Sequence, residues 1–168
     1  MKCYYRLECD NLSEIQSQTL DYLKSKTNLL EVKPSEPWNT TDTRDFIKNC
    51  PALIEWCKGL RLLPHEVSFI VSHDSNSGLP IHTDQGPLIA KINVPVQNTT
   101  GNITRWHADD DSVIAETGMD TPVVFNSSIP HSVEIHSKHT PRIVMAVMIK
   151  NENSLLAVSY THLTLPTN

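Results

Sequence analysis

The chain has 168 residues, enough for one domain with a sizeable hydrophobic core and not comfortably for two. Lys and Arg total 14 against 19 Asp and Glu, a formal net charge of −5, which argues against a nucleic-acid groove built on clustered positive charge. Hydrophobic residues make up 39% and charged residues 20%, a globular mixture rather than a disordered one.

The opening MKCYYRLECD has no apolar run of the signal-peptide kind and turns acidic by Glu8. The longest apolar run, Ile143 to Ile149, is far too short to span a membrane, so the expectation is a cytoplasmic protein without a membrane partner. The four cysteines (Cys3, Cys9, Cys50, Cys57) contain no Cys-x-x-Cys pair and read as reduced packing residues rather than a disulfide or zinc framework.

Residues 1–63 read as a helical N-terminal part. Asn11 followed by Glu14 is a capping-box-like start, after which Leu12, Ile15, Thr19, Tyr22 and Leu23 fall on one helical face. A loop is expected over 32–42, with Pro34, Pro37 and Trp38, the last a lid candidate. A second helix is expected with Pro51 in its first turn and Gly59 as its stop.

From Glu66 the pattern changes to eight short β segments separated by turn residues. They are Glu66–Ser72, Leu79–Thr83, Leu88–Val96, Asn102–His107, Ser112–Glu116, Thr121–Asn126, His131–His136 and Arg142–Ile149. Eight such strands preceded by helices predict a mainly β jelly roll over 64–150 with helices on one outer face, within a single domain of residues 1–157. A β-sandwich of another topology fits the same pattern. The last residues, VSYTHLTLPTN at 158–168, read like the translation of a sequencing-library adapter and are expected to be a non-native tail, so Tyr160 and His162 receive no role.

The chemistry starts from His82 and Asp84. In an extended strand residues i and i+2 point to one face, so an imidazole and a carboxylate stand side by side. His131, far downstream, is the natural third ligand, and two histidines with one carboxylate form the facial triad of non-haem Fe(II) oxygenases, with open positions left on the ion. A second His-x-Asp, His107 and Asp109, is a decoy: its aspartate opens the acidic turn Asp109–Asp111, and too few strands separate it from His131. Arg142, eleven positions after His131, opens the last apolar strand. A guanidinium there needs an anion, and its planar fork suits a carboxylate; a salt bridge to Glu134 is the structural alternative.

The run HTD at 82–84 and the stretch FNSSIPHSVEIHSKHTPR at 125–142 resemble the 2-oxoglutarate/Fe(II)-dependent dioxygenases over roughly residues 66–149. PLIAKINVPVQNTTGNITRW and VVFNSSIPHSVE narrow the likeness to the aspartyl/asparaginyl β-hydroxylase-type branch and its small phage and bacterial relatives. That resemblance implies a double-stranded β-helix of cupin-like form, with Fe(II) held by His82, Asp84 and His131. It also implies 2-oxoglutarate held through Arg142, and Lys91, nine positions after His82, helping to bind this co-substrate. The animal enzymes of that branch have Arg in place of Lys91 and lack the metal carboxylate that Asp84 supplies here, which loosens any inference to their peptidyl substrate.

The implied activity is that of an oxidoreductase, a hydroxylase releasing succinate and carbon dioxide, acting on a peptidyl side chain or a small amino-acid-like molecule. A cupin-like metal- or ligand-binding module without oxygen chemistry is the rival, and a metal-dependent isomerase or hydrolase on the same barrel is a third reading. Around the triad, Ser72 or Thr83 would give Arg142 a hydroxyl neighbour, and Asn126 would orient His131 or end its strand. Trp106 would line the mouth or the core, and His131, His136 and His139 form a weak zinc alternative.

Overall fold

Two antiparallel sheets lie face to face in the computed structural model, which describes residues 3–31, 38–73, 78–84, 90–136 and 139–149. Among these residues the strands are β1 (Tyr4–Arg6), β2 (Trp38–Thr40), β3 (Pro64–Ser72), β4 (Leu79–His82), β5 (Ala90–Gln97), β6 (Ile103–His107), β7 (Val113–Gly118), β8 (Val123–Phe125), β9 (His131–Glu134) and β10 (Arg142–Ile149). The helices are α1 (Leu12–Ser25), α2 (Thr43–Asn49) and α3 (Pro51–Gly59). One sheet has the order β1-β8-β5-β10-β3-β2 and the other β4-β9-β6-β7. This is the expected mainly β jelly roll with N-terminal helices, and all eight anticipated strands are present. The expected tail at 158–168, Pro34 and Pro37 of the loop, and Leu88 lie outside the described residues.

Alternation along the strands sorts the six-stranded sheet into two faces. Ile143, Met145, Val147 and Ile149 of β10 join Val67, Phe69 and Val71 of β3 and Ile92, Val94 and Val96 of β5 in one buried cluster. The helices close that cluster with Ile15, Tyr22 and Leu23 of α1, Phe46 of α2, and Leu53 and Trp56 of α3. The opposite face carries Ser68, Ile70, Ser72, Lys91, Asn93, Arg142 and Val144. It turns toward the four-stranded sheet, where Ile70 and Val144 pack with Met119 and Trp38. No helix among the described residues is long and apolar enough to cross a membrane.

Several local expectations change. Asn11 flanks α1 without a side-chain cap bond; its amide donates instead to the carbonyl of Ala52, 3.1 Å away, tying α1 to α3. Gly59 is the last residue of α3 rather than its stop, and the left-handed turn that follows falls on Arg61, with φ of 57°. Trp38 stands in β2, paired with Ile70, not in a loop. The three-residue strands β1 and β2 are too short to show a period in sequence, and α2 is announced only by Asp42, whose carboxylate accepts from the N–H groups of Arg44 and Asp45. All four cysteines carry free thiols, as expected.

Candidate active site

His82 closes β4 and His131 opens β9, and the two are direct cross-strand partners, their rings 4.4 Å apart between centroids. Strand β4 enters this pairing past Gly78, whose backbone lies so close to the Val133 carbonyl that a Cβ there would stand 2.6 Å from it. Each imidazole is oriented by its own chain. His82 Nδ1–H donates to the Pro80 carbonyl at 2.7 Å and His131 Nδ1–H to the Ile129 carbonyl at 2.9 Å. With the proton fixed on Nδ1, Nε2 is the ring atom of each histidine with a lone pair for metal ligation.

Asp84 follows β4, its backbone N–H on the Ser127 carbonyl at 3.1 Å. Its Oδ1 lies 3.7 Å from His82 Nε2, and one donor atom from each of His82, Asp84 and His131 lies within 4.8 Å of the others. Among the described residues this is the one such group of metal-ligating side chains. Burial is the main cause that holds the His131 imidazole below its usual pKa. The charge of His82 and Lys91 pushes the same way, against the Ile129 carbonyl bond and Asp84. A neutral ring gives up no proton on binding a cation. Two imidazole nitrogens and one carboxylate oxygen suit a divalent ion of the Fe(II) kind with adjacent positions open.

Lys91, near the start of β5, reaches the same place from the other sheet. Its Nζ lies 2.9 Å from Asp84 Oδ2 and 4.0 Å from the centre of the Trp38 ring. Its side chain is only 5% exposed, and desolvation lowers its pKa against the opposing pull of Asp84. In sequence Lys91 reads as a co-substrate contact; its observed partner is the aspartate.

Arg142 opens β10 on the same face of the sheet as Lys91, directly opposite Ser72 of β3. It is 5% exposed, and its buried Nε meets no hydrogen-bond acceptor among the described residues. Burial alone pushes its guanidinium down to about 10. The structural alternative fails: Glu134 is engaged by Arg105 and by His136, the latter at 3.1 Å. A buried cation with an orphaned donor is costly and calls for a partner beyond the described residues.

The remaining candidates resolve into supporting roles. His107 bonds Ser132 Oγ at 2.8 Å and the Asp111 carbonyl at 3.0 Å, while Asp109 is exposed, so the second His-x-Asp does not assemble. Trp106 is fully buried, stacked on Tyr4 at 5.1 Å, and belongs to the core. The Asn126 side chain accepts from Ser128 N–H and Oγ–H, closing the turn before β9; His131 is oriented by Ile129 instead. Thr83 is exposed, whereas Ser72 faces Arg142 across the strands. His136 turns to Glu134, so the zinc alternative does not gather. The lysine–aspartate pair and the Trp38 platform beneath it are absent from the sequence reading, because no spacing rule links strands that meet only across two sheets.

The sequence matches no protein-family model and no curated protein. Solved structures do match. A Pseudomonas putida prolyl-4-hydroxylase aligns at TM-score 0.55 with 13% identity, covering 88% of this chain and 91% of that one. A non-heme monooxygenase, the ThoJ–Ni complex, aligns at 0.56 with 15% identity over 87% and 72%. CytC3 with Fe(II) and alpha-ketoglutarate aligns at 0.51 with 12% identity over 88% and 72%. At such identities the likeness is one of fold: the chain shares the jelly-roll architecture of these structures.

Proposed function

We propose that this protein is an Fe(II)- and 2-oxoglutarate-dependent oxygenase, a hydroxylase of a peptidyl side chain or a small amino-acid-like molecule. The observation that carries the reading is the buried Arg142, whose Nε meets no acceptor among the described residues, on the face that also bears Lys91, the neighbour of Asp84. A metal triad alone would suit many chemistries. A metal triad with a buried fork for a carboxylate suits a dicarboxylate bound at both ends.

In this reading His82, Asp84 and His131 hold the ion, and Arg142, with Ser72 opposite, holds the distal carboxylate. When bound, iron and 2-oxoglutarate supply the oxidative chemistry: dioxygen gives one oxygen atom to a C–H bond of the substrate and the other to succinate, with loss of carbon dioxide. The chain's own residues orient and exclude. The Pro80 and Ile129 carbonyls fix the Nδ1–H tautomer of both imidazoles, which leaves Nε2 as the atom to ligate the ion. Ile70, Val144 and Met119, buried on the inner face, keep water from the interior that an oxidant must not share with it. The structures of the same fold lend support: a prolyl-4-hydroxylase, a non-heme monooxygenase, and CytC3 solved with Fe(II) and alpha-ketoglutarate. A cupin-like binding module would have no use for Arg142, and an isomerase or hydrolase would have no use for dioxygen.

The test is succinate formation from 2-oxoglutarate with Fe(II), ascorbate and oxygen. Wild type should form succinate, and His82→Ala should not. Arg142→Met should raise the 2-oxoglutarate requirement by roughly 30-fold or more, the scale expected for one partner of a buried charge pair, while leaving Mn²⁺ affinity unchanged. A folded wild type that binds neither Mn²⁺ nor 2-oxoglutarate, or that turns over equally without oxygen, would overturn the assignment.

A further inference from the structure

We propose that Lys91, seated on the face of Trp38, is a positioning residue that holds Asp84 as a one-oxygen metal ligand. The inference rests on the metal-site reading above and adds a role to it. The bond from its N–H to the Ser127 carbonyl holds the Asp84 backbone, but it does not set the rotation of the carboxylate, which lies just beyond a four-residue edge strand with the side chain 25% exposed. A carboxylate held so loosely is free to offer both oxygens to one ion, which would close a coordination position that the reaction needs open.

Lys91 removes that freedom. Its ammonium takes Oδ2 at 2.9 Å, and Oδ1 is the oxygen that stands beside His82 Nε2 at 3.7 Å. The ammonium is itself located by the Trp38 ring at 4.0 Å, a cation–π contact in a largely desolvated place. Trp38 is anchored by its pairing with Ile70 on β3. A line of contacts thus runs from the six-stranded sheet, through an aromatic face and an ammonium, to a ligand carried by the four-stranded sheet. Lysine suits this post because it acts as a point charge on one oxygen, where an arginine fork would engage both.

The experiment separates positioning from co-substrate binding. Mn²⁺ affinity is measured from the free-ion electron paramagnetic resonance signal, Co²⁺ coordination from its visible absorption at saturating metal, and 2-oxoglutarate affinity separately at saturating metal. Lys91→Met should weaken Mn²⁺ binding by about 10- to 100-fold, the range for outer-shell partners of metal ligands. The same variant should change the Co²⁺ spectrum and leave 2-oxoglutarate affinity within about threefold. Trp38→Leu, which keeps the lysine and removes its seat, should move metal affinity and spectrum in the same direction by a smaller factor, and Trp38→Phe should restore them; these variants carry the test should Lys91→Met not fold. Unchanged Mn²⁺ affinity and Co²⁺ spectrum with a large loss of 2-oxoglutarate binding would overturn the proposal and return Lys91 to the co-substrate. Wild type that binds no Mn²⁺ would defeat the metal reading itself, an outcome distinct from failure at Lys91 alone.

Discussion

The two faces of strand β10 are made by alternate residues of one eight-residue segment, RIVMAVMI, yet they do different work. The odd positions, Ile143 to Ile149, meet the helices in a closed apolar cluster. The even positions, which begin with Arg142, share their face with Lys91 and Asn93; all three of these polar residues are buried, and there Arg142 Nε and Asn93 Oδ1 lack hydrogen-bond partners among the described residues. One face carries stability and the other carries unspent hydrogen-bonding capacity. Native interiors tolerate few such groups, so where they gather on one side of a sheet they point to something that binds there.

The sharpest way to test that division is to damage each face and read both properties. Phe69, fully buried between sheet and helices, should cost about 3–5 kcal/mol as Phe69→Ala in chemical denaturation. Mn²⁺ affinity of the folded fraction should stay within about twofold. A large loss of affinity there would mean that the two faces are not separable.

The inner face should behave in the opposite sense. Burial lowers the Arg142 pKa to about 10, well below the ordinary guanidinium range, so the folded state carries the charge at a penalty that the unfolded state does not. Both states remain protonated below pH 10, which makes the penalty full and constant through neutrality. Arg142→Met should therefore raise ligand-free stability by up to about 3 kcal/mol, and the gain should be flat from about pH 6 to 9. Thermal unfolding at several pH values checks both points. A destabilised variant would show that the guanidinium is well satisfied and would remove the reason to place an anion beside it.

The smallest effect belongs to a site remote from both faces. Asp42 caps α2 through the N–H groups of Arg44 and Asp45, and Asp42→Ala should cost about 1 kcal/mol in the same denaturation experiment with metal binding intact.

Much of this division is legible in the sequence. The alternation in β3, β5 and β10 gives the strands and their faces, because period-two geometry acts within a strand. The HTD run with His131 points to the cluster that forms, although Asp84 stands beyond the end of β4 and is brought to His82 by the chain that follows rather than by strand alternation. Arg142 is legible for another reason: a charge at the head of an apolar run raises the question of its partner. What stays hidden depends on distance along the chain. The bond from Lys91 to Asp84 joins the two sheets, and its platform comes from Trp38, more than fifty residues earlier and in a strand of only three. The anchoring of both histidines by the carbonyls two residues before them is local, but it depends on backbone bends that side-chain patterns do not encode.

The rung shared by His82 and His131 has an effect on assembly as well as on chemistry. A one-residue slip of either strand would turn its imidazole to the outer surface and dissolve the pair. Only the correctly registered pair of strands, β4 against β9, offers a divalent ion two nitrogens at once. A cation present during refolding would therefore act as a proofreader of this small sheet, enriching the native alignment over its slipped competitors.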